Sequence, residues 1–236
     1  MVIFNVSEKW NNGKSRTLTR AHEFDPFDDK VECAAGAKAT RKVVIDGQGN
    51  CTISGDKVRI YCHYENYNSR LTVTLIPHFK GRKDEGSLKL RSRHEELEKE
   101  CVDGKPVDPN AFGGYGFAVG RIKNGGKTKF EWDAKRELTH NCYDQFDADE
   151  LPKKLENGKA VIMRHTVKDE DGKVRQIGEI DYMDGSGFHR VMDRFDKSPK
   201  SWMIDRGLYE DQSYIWIRNN GSGSITVRDV TLEILP

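Results

Sequence analysis

The chain has 236 residues, of which 36% are hydrophobic and 33% charged, and a formal net charge of +1. That length suits one large all-β domain or two small ones, and it can bury a core without help from disulfides or metals. The near-neutral balance excludes a dedicated nucleic-acid binder, which carries a clear basic excess, and no apolar run approaches the roughly 18 residues needed to cross a bilayer.

The first stretch, "MVIFNVSEKWNNGK", has no charged segment followed by a long apolar one, so it does not read as a signal peptide. Residues 1–40 read as a loop-rich segment packed onto the rest of the domain. Within it, "HEFDPFDDK" clusters Asp25, Asp28 and Asp29. Its plainest reading is a solvated acidic loop. Next, "RKVVIDGQGNCTISGDKVRIYCHY" predicts three short strands with turns at Asp46-Gly47, Gly49-Asn50 and Gly55-Asp56. "RLTVTLIPHF" alternates cleanly and ends at a proline. "YGFAVGRI", "KFEWDAKREL", "KAVIMRHTV", "QIGEIDYM", "SYIWIRNN" and "SITVRDVTLEIL" continue the series. "RIKNGGKTKF" and "VKDEDGKVRQ" read as hairpins. Helical periodicity is confined to a turn or two in "EELEKE" and "DADELPKKLENG". Many turn-punctuated strands over this length predict one all-β domain, residues 1–236, built as a two-sheet antiparallel β-sandwich of jelly-roll type with a few helical turns.

Five cysteines occur, Cys33, Cys51, Cys62, Cys101 and Cys142, with no CxxC pair, so a zinc ribbon is not expected. Cys101 and Cys142 flank loops and are the first candidate pair; Cys33 with Cys51 is the second. Sequons stand at Asn5, Asn50 and Asn220. Together these features point outside the cytoplasm, where disulfides persist. The seven histidines show neither HxH nor HExxH spacing, which argues against a catalytic transition metal.

The stretch "SLKLRSRHEELEKEC" carries the main functional question. Strand alternation puts Leu88 and Leu90 on one face and Lys89, Arg91 and Arg93 on the other, with His94 following. Two guanidiniums on one strand face repel unless something neutralises them. Glu131, Glu137 or Glu179 could do so, and so could an anionic ligand.

The C-terminal half, "GYGFAVGR", "FEWDAKRELTH", "LENGKAVIMRHTV", "RQIGEIDYMDG" and "SYIWIRNNGSGSITVRDVTLEILP", resembles the concanavalin A-like lectin/glucanase superfamily in strand pattern and order. The last segment is similar to that fold's closing hairpin, whose final strand pairs with the N-terminal region. The resemblance implies a ligand face on a concave sheet, but the fold hosts lectins, glycan-binding modules, glycoside hydrolases and polysaccharide lyases. A glucanase would carry Glu-x-Asp-x-x-Glu; the nearest text is "GEIDYMDG", with Glu179, Asp181 and Asp184, which also reads as a polar strand face ending in a turn. A lyase of this fold would carry an Arg-rich strand, a Gln-x-His strand and a Tyr-rich strand. Arg91 and Arg93 match the first, and Tyr214, Trp216 and Arg218 suit the third. Gln176 begins the second, but Gly178 stands where histidine would be. In a lyase, His140, Tyr143 and Arg93 would be catalytic. The resemblance also implies a structural calcium bridging Asp25 and Asp28 to Asp229; no cofactor is required.

The reading is of a carbohydrate-recognising protein that binds an acidic polysaccharide through Arg91, Arg93, His94, Gln176, Tyr182, Trp216 and Arg218. Aromatic faces would stack on sugar rings and arginines would grip carboxylates, although a strand tryptophan such as Trp132 or Trp216 is more often core. The alternatives are a polysaccharide lyase acting by β-elimination on a uronate polymer and a structural cell-surface protein. The expected protein is a monomer that binds no nucleic acid and does not insert in a membrane.

Overall fold

The structure is a computed structural model and describes residues 2–5, 7, 10, 16–18, 22–24, 31–33, 42–56, 58–64, 67–81, 84–92, 114–120, 129–133, 144–147, 155–195 and 213–236. Among them no α-helix occurs, and no helix is long and apolar enough to cross a membrane. In chain order the strands are β1 (Val2–Asn5), β2 (Arg16–Leu18), β3 (His22–Phe24), β4 (Val31–Cys33), β5 (Lys42–Ile45) and β6 (Cys51–Ser54). They continue with β7 (Val58–Tyr64), β8 (Ser69–His78), β9 (Glu85–Ser92), β10 (Gly114–Gly120), β11 (Lys129–Asp133) and β12 (Asp144–Asp147). The last are β13 (Val161–Glu170), β14 (Lys173–Asp181), β15 (Phe188–Phe195), β16 (Ser213–Asn220) and β17 (Ser224–Ile234).

They form two layers. A nine-stranded sheet runs β15-β14-β13-β8-β17-β6-β5-β2, with β1 also paired to β17, and an eight-stranded sheet runs β12-β11-β10-β9-β16-β7-β3-β4. Pairing is antiparallel except for a parallel contact of Phe24 in β3 with Ile60 in β7. Period-2 alternation drives the layering. Leu71, Val73, Leu75, Met163 and Ile225 from one sheet meet Ile60, Leu88, Leu90, Phe117 and Ile217 from the other, all at most 2% exposed. This is the expected all-β sandwich.

Several strand neighbours differ from the sequence reading. The β5–β6 hairpin forms as expected, its turn closed by amides of Gln48 and Asn50 donating to Asp46 Oδ1 at 2.7 and 3.1 Å. The chain then leaves the nine-stranded sheet at Gly55 and enters the other as β7, so β6 and β7 are not partners. Likewise β17 pairs with β1, as the resemblance implied, but β16 and β17 lie in different sheets. Cys51 is a free, buried thiol, so the Cys33–Cys51 pairing does not form. It faces the core from β6, while Cys33 belongs to the opposite sheet. Cys101 and Cys142 lie outside the described residues.

Of the connections that cross between the layers, three lie side by side: β6 to β7, β8 to β9, and β16 to β17. They are tied to one another. Gly55 N donates to Gly223 O at 3.2 Å, and Asn219 Nδ2 donates to the carbonyls of Gly55 and Gly223 at 2.6 and 3.1 Å. Gly221 N donates to Asp56 Oδ1 at 2.9 Å. Asp84, 1% exposed, is the centre of the knot. Its carboxylate accepts from the amides of Lys80, Gly81 and Ser222 at 2.6, 2.8 and 2.8 Å. Gly221, at φ +94°, has no room for a side chain, because a Cβ there would run into that carboxylate.

Burial alone would raise the Asp84 pKa, but the Gly81, Lys80 and Ser222 donors more than offset it and hold the carboxyl below the ordinary range. A depressed carboxyl contributes stability that is present above the unfolded pKa and is lost as pH falls through the folded one. Asp84→Asn places an amide donor against amide donors and should cost about 2–4 kcal/mol near neutral pH. Chemical denaturation of parent and variant along a pH series checks this. The gap between them should shrink in acid, below the carboxylate range; a constant gap at every pH would show that the charge on Asp84 is not what matters.

Candidate functional site

β9 is buried on both faces from Glu85 to Arg91. Gly86, Leu88 and Leu90 belong to the inward set, Leu88 and Leu90 at 0% exposure, as alternation predicts. Glu85, Ser87 and Lys89 belong to the outer face. On β16 the inward set is Ile215, Ile217 and Asn219, and the outward set is Trp216, Arg218 and Asn220. On β10 the outward positions are Gly116, Ala118 and Gly120, a floor with at most a methyl group on it.

The registers align these residues in rows. Tyr61, Trp216, Lys89, Gly116, Glu131 and Gln145 stand in one. Arg59, Arg218, Ser87, Ala118, Lys129 and Asp147 stand in the next, and Asn220, Glu85 and Gly120 in the third. Lys89 is 1% exposed and Trp216 0%. Trp216 is therefore buried, as its bulk favours, yet on the outer side of the sheet. Arg218 and Asn220 are half-buried and closer to solvent. Asn220 Nδ2 donates to Glu85 Oε1. Arg218 Nε and Asn220 Oδ1 are buried and make no hydrogen bond among the described residues.

Arg91 does not join this strip. β9 carries one extra residue relative to β16 between Lys89 and Ser92, and Arg91 sits in that bulge at φ 52°. The bulge interrupts the alternation and turns the side chain toward the other sheet. Its guanidinium donates to Asp169 Oδ1 at 3.0 Å and Asn68 Oδ1 at 3.1 Å, and its amide donates to Tyr64 Oη at 2.9 Å. At 1% exposure Arg91 joins the two sheets, so the expected ligand contact is corrected. Among the described residues Asp169 neutralises Arg91, and Glu179 pairs with Arg164 and Arg190 instead. Arg93 and His94 lie outside the described residues, as do His140 and Tyr143.

Gln176 is also corrected. Its face of β14 points into the sandwich, at 2% exposure, and its Oε1 lies 3.1 Å from His165 Nε2. Gly178, the position read as a broken Gln-x-His element, faces in too, and a Cβ there would come within 2.9 Å of the Phe117 ring. Glycine stands there because the opposite sheet fills the space. Glu179 lies on the outer face and pairs with Arg164 and Arg190 at 3.5 and 3.8 Å. Asp181 Oδ1 accepts from Met183 N at 2.7 Å and Asp184 Oδ1 from Ser186 N at 3.1 Å, so these acids build the β14–β15 turn. Tyr182 is in that turn, its ring centroid 6.1 Å from that of His189. Of the expected ligand residues on this strip, Arg218 keeps contact with solvent, whereas Trp216, 0% exposed beside Lys89, is corrected to a buried position that offers no ring face to a sugar. Asn220 was not singled out; its i, i+2 spacing from Arg218 was the available signal.

Asp229 is exposed at a bulge in β17 and pairs with Arg228 at 3.5 Å. Asp25 and Asp28 lie outside the described residues. Among the described residues no group of three or more His, Cys, Asp or Glu is arranged to hold a metal.

No protein-family model matches the chain, and no curated protein matches it. Among solved structures, the legume lectin-like domain from Entamoeba histolytica superposes with a TM-score of 0.51 at 10% identity, over 80% of this chain and 85% of that one. Carbohydrate-binding module CBM66 from Bacillus subtilis gives 0.44 at 12% identity over 93% and 94% of the two chains. Lectin I-B4 from Griffonia simplicifolia, in its metal-free form, gives 0.46 at 10% identity over 100% of each. The described strands share the β-sandwich fold of the Entamoeba histolytica lectin-like domain. Likeness at this identity establishes the fold alone.

Two predictions come from the corrected residues. Arg91→Ala removes a buried cation and leaves Asp169 and Asn68 short of a donor, so it should cost about 2 kcal/mol of stability, read from urea denaturation. An unchanged midpoint would remove Arg91 from the inter-sheet link. His165 is 0% exposed; burial pulls its pKa down from 6.5 to about 4, against the bond to Gln176, which raises it. Gln176 Oε1 accepts, so Nε2 carries the proton and Nδ1 is buried without a partner among the described residues. The unfolded chain takes up a proton below pH 6.5 and the folded one only near 4, so up to about 3 kcal/mol is lost as pH falls between them. His165→Leu should abolish that part of the acid sensitivity, visible as a parent-minus-variant difference that changes over this window and is flat above it.

Proposed function

We propose that the protein binds a polysaccharide, and an anionic one, on the outer face of its eight-stranded sheet. The observation that carries this reading is Arg218 Nε, a buried cationic donor with no partner among the described residues, next to Asn220 Oδ1, a buried acceptor in the same condition. A sugar carboxylate or sulfate would accept from the guanidinium and a neighbouring hydroxyl would donate to the amide oxygen. The Arg218 guanidinium, half-buried on this face, supplies the positive charge. The lectin-like structural neighbour from Entamoeba histolytica agrees with a glycan ligand. The reading places the protein outside the cytoplasm, where such polymers occur.

Affinity electrophoresis in gels containing alginate, polygalacturonate, hyaluronan or sulfated dextran, with plain dextran as the neutral control, tests the proposal. At least one charged polymer should retard the protein and plain dextran should not. Arg218→Ala should weaken that binding by about ten- to a hundredfold, and rising salt should weaken it further. Arg218→Lys, which keeps charge but lacks the planar fork, should fall between them. No retardation by any charged polymer, or equal retardation of a folded Arg218→Ala variant, would end this reading.

A further inference from the structure

β15 closes one edge of the nine-stranded sheet, and among the described residues β14 is its one strand neighbour. It reads Phe188-His189-Arg190-Val191-Met192-Asp193-Arg194-Phe195. Its register with Asp181, Glu179, Ile177 and Arg175 puts Phe188, Arg190, Asp193 and Phe195 on the outer face. Val191 and Met192, at 0% and 2% exposure, fall at the bulge near Gly178 and Glu179 and pack inward. Arg190 keeps 53% of its side chain exposed and Phe195 is 46% exposed.

This strand is complementary to itself. An antiparallel copy related by a two-fold axis between Val191 and Met192 sets each Arg190 opposite the other copy's Asp193, and each Phe188 opposite the other's Phe195. Both pairs share the outer face. Moving the copy by one or two residues either way breaks the Arg–Asp match; one such shift sets Arg190 against Arg194. Opposite charges across a pair are stabilising and like charges are not, so one register is selected. We propose that β15 is a dimerisation edge, through which a second copy of this chain continues the nine-stranded sheet.

Asp193 is prepared for this contact. Arg175 already grips it through two bonds of 2.7 and 2.6 Å, which fixes the carboxylate in place. Arg190 reaches it within the same chain at 3.2 Å and can rotate to the partner's copy without losing a carboxylate. The bulge at the axis adds local twist, and an edge with a bulge and charges resists unselective pairing. The two-fold uses up the edge it employs, so the assembly closes as a dimer. The proposal does not depend on the glycan-binding reading. If both hold, each dimer presents two ligand strips and gains avidity for a polymer.

Sedimentation velocity from about 1 μM to about 500 μM spans the affinity expected of a contact this small. The parent should shift from monomer to dimer within that range. Arg190→Glu sets glutamate against Asp193 in both pairs and should raise the dissociation constant at least about tenfold. Phe195→Ser removes the flanking aromatic contact and should also weaken the dimer; it decides the matter if the charge variant fails to fold. A parent that stays monomeric throughout overturns the proposal, as does a folded variant of either kind that dimerises like the parent.

Discussion

The carboxylate of Asp84 is the constraint on which the rest of the architecture depends. A sandwich needs its two layers held in one relative register, and apolar contact alone specifies that register weakly, because it is non-directional. Here three crossing connections lie side by side, and hydrogen bonds with fixed geometry tie each to the next. Asp84 collects amides from its own connection and from the one between β16 and β17. Asn219 and Asp56 bring in the third, between β6 and β7. Because the connections are locked, β8, β17 and β6 in one sheet lie in the same order as β9, β16 and β7 in the other. A carboxylate serves here better than a neutral group. Its oxygens accept several amides at once, and each bond to a charge is stronger than one to a neutral acceptor.

The candidate site depends on that lock. With Asn220 held against Glu85, pairing of β9 and β16 runs without interruption through Arg218 and Ser87 to Trp216 and Lys89. It then meets the bulge at Arg91. One inserted residue converts what would be a third cation on the outer face into an inter-sheet ion pair with Asp169. The result separates two jobs. The guanidinium of Arg91 is held by Asp169 and Asn68 and joins the layers, whereas Arg218, on the near side of the bulge, stays on the outer face.

Much of the fold was legible because period-2 patterning and turn residues are local signals. The core placement of Leu88 and Leu90, the Asp46-Gly47 turn and the Asp171-Gly172 hairpin with its two positive φ values, 48° and 75°, all come from a few neighbouring residues. What was not legible is non-local. "GNCTISGDKVRIY" cannot show whether the chain folds back within a sheet or crosses to the other, since either route needs a glycine at the turn. Gln176 and Gly178 alternate correctly, but alternation does not say which set faces the core when both faces carry polar residues. His165 and Gln176 satisfy each other only after β13 and β14 pair. The Arg91 bulge left no local mark either: arginine is not a residue that announces a positive φ.

The two outer faces differ in how their described arginines are satisfied, and this difference supports the proposed one. On the nine-stranded sheet Arg175 holds Asp193 and Glu170, and Arg70 holds Glu233. Arg164 has a buried Nε without a hydrogen bond, but the Phe188 ring covers its guanidinium at 3.6 Å, and Glu179 takes Nη1. Arg228, in the same condition, has Asp229 at 3.5 Å. Each of these cations has an acid or an aromatic face within the chain to receive it. Among the described residues Arg218 meets neither, although the sheet has taken its Nε out of water. A buried donor left without any partner costs about 1–3 kcal/mol. Under the proposed reading, a ligand that accepts from Arg218 would recover that cost on binding. On the nine-stranded face Arg175 and Arg70 offer no such gain, because acids of the chain already hold them.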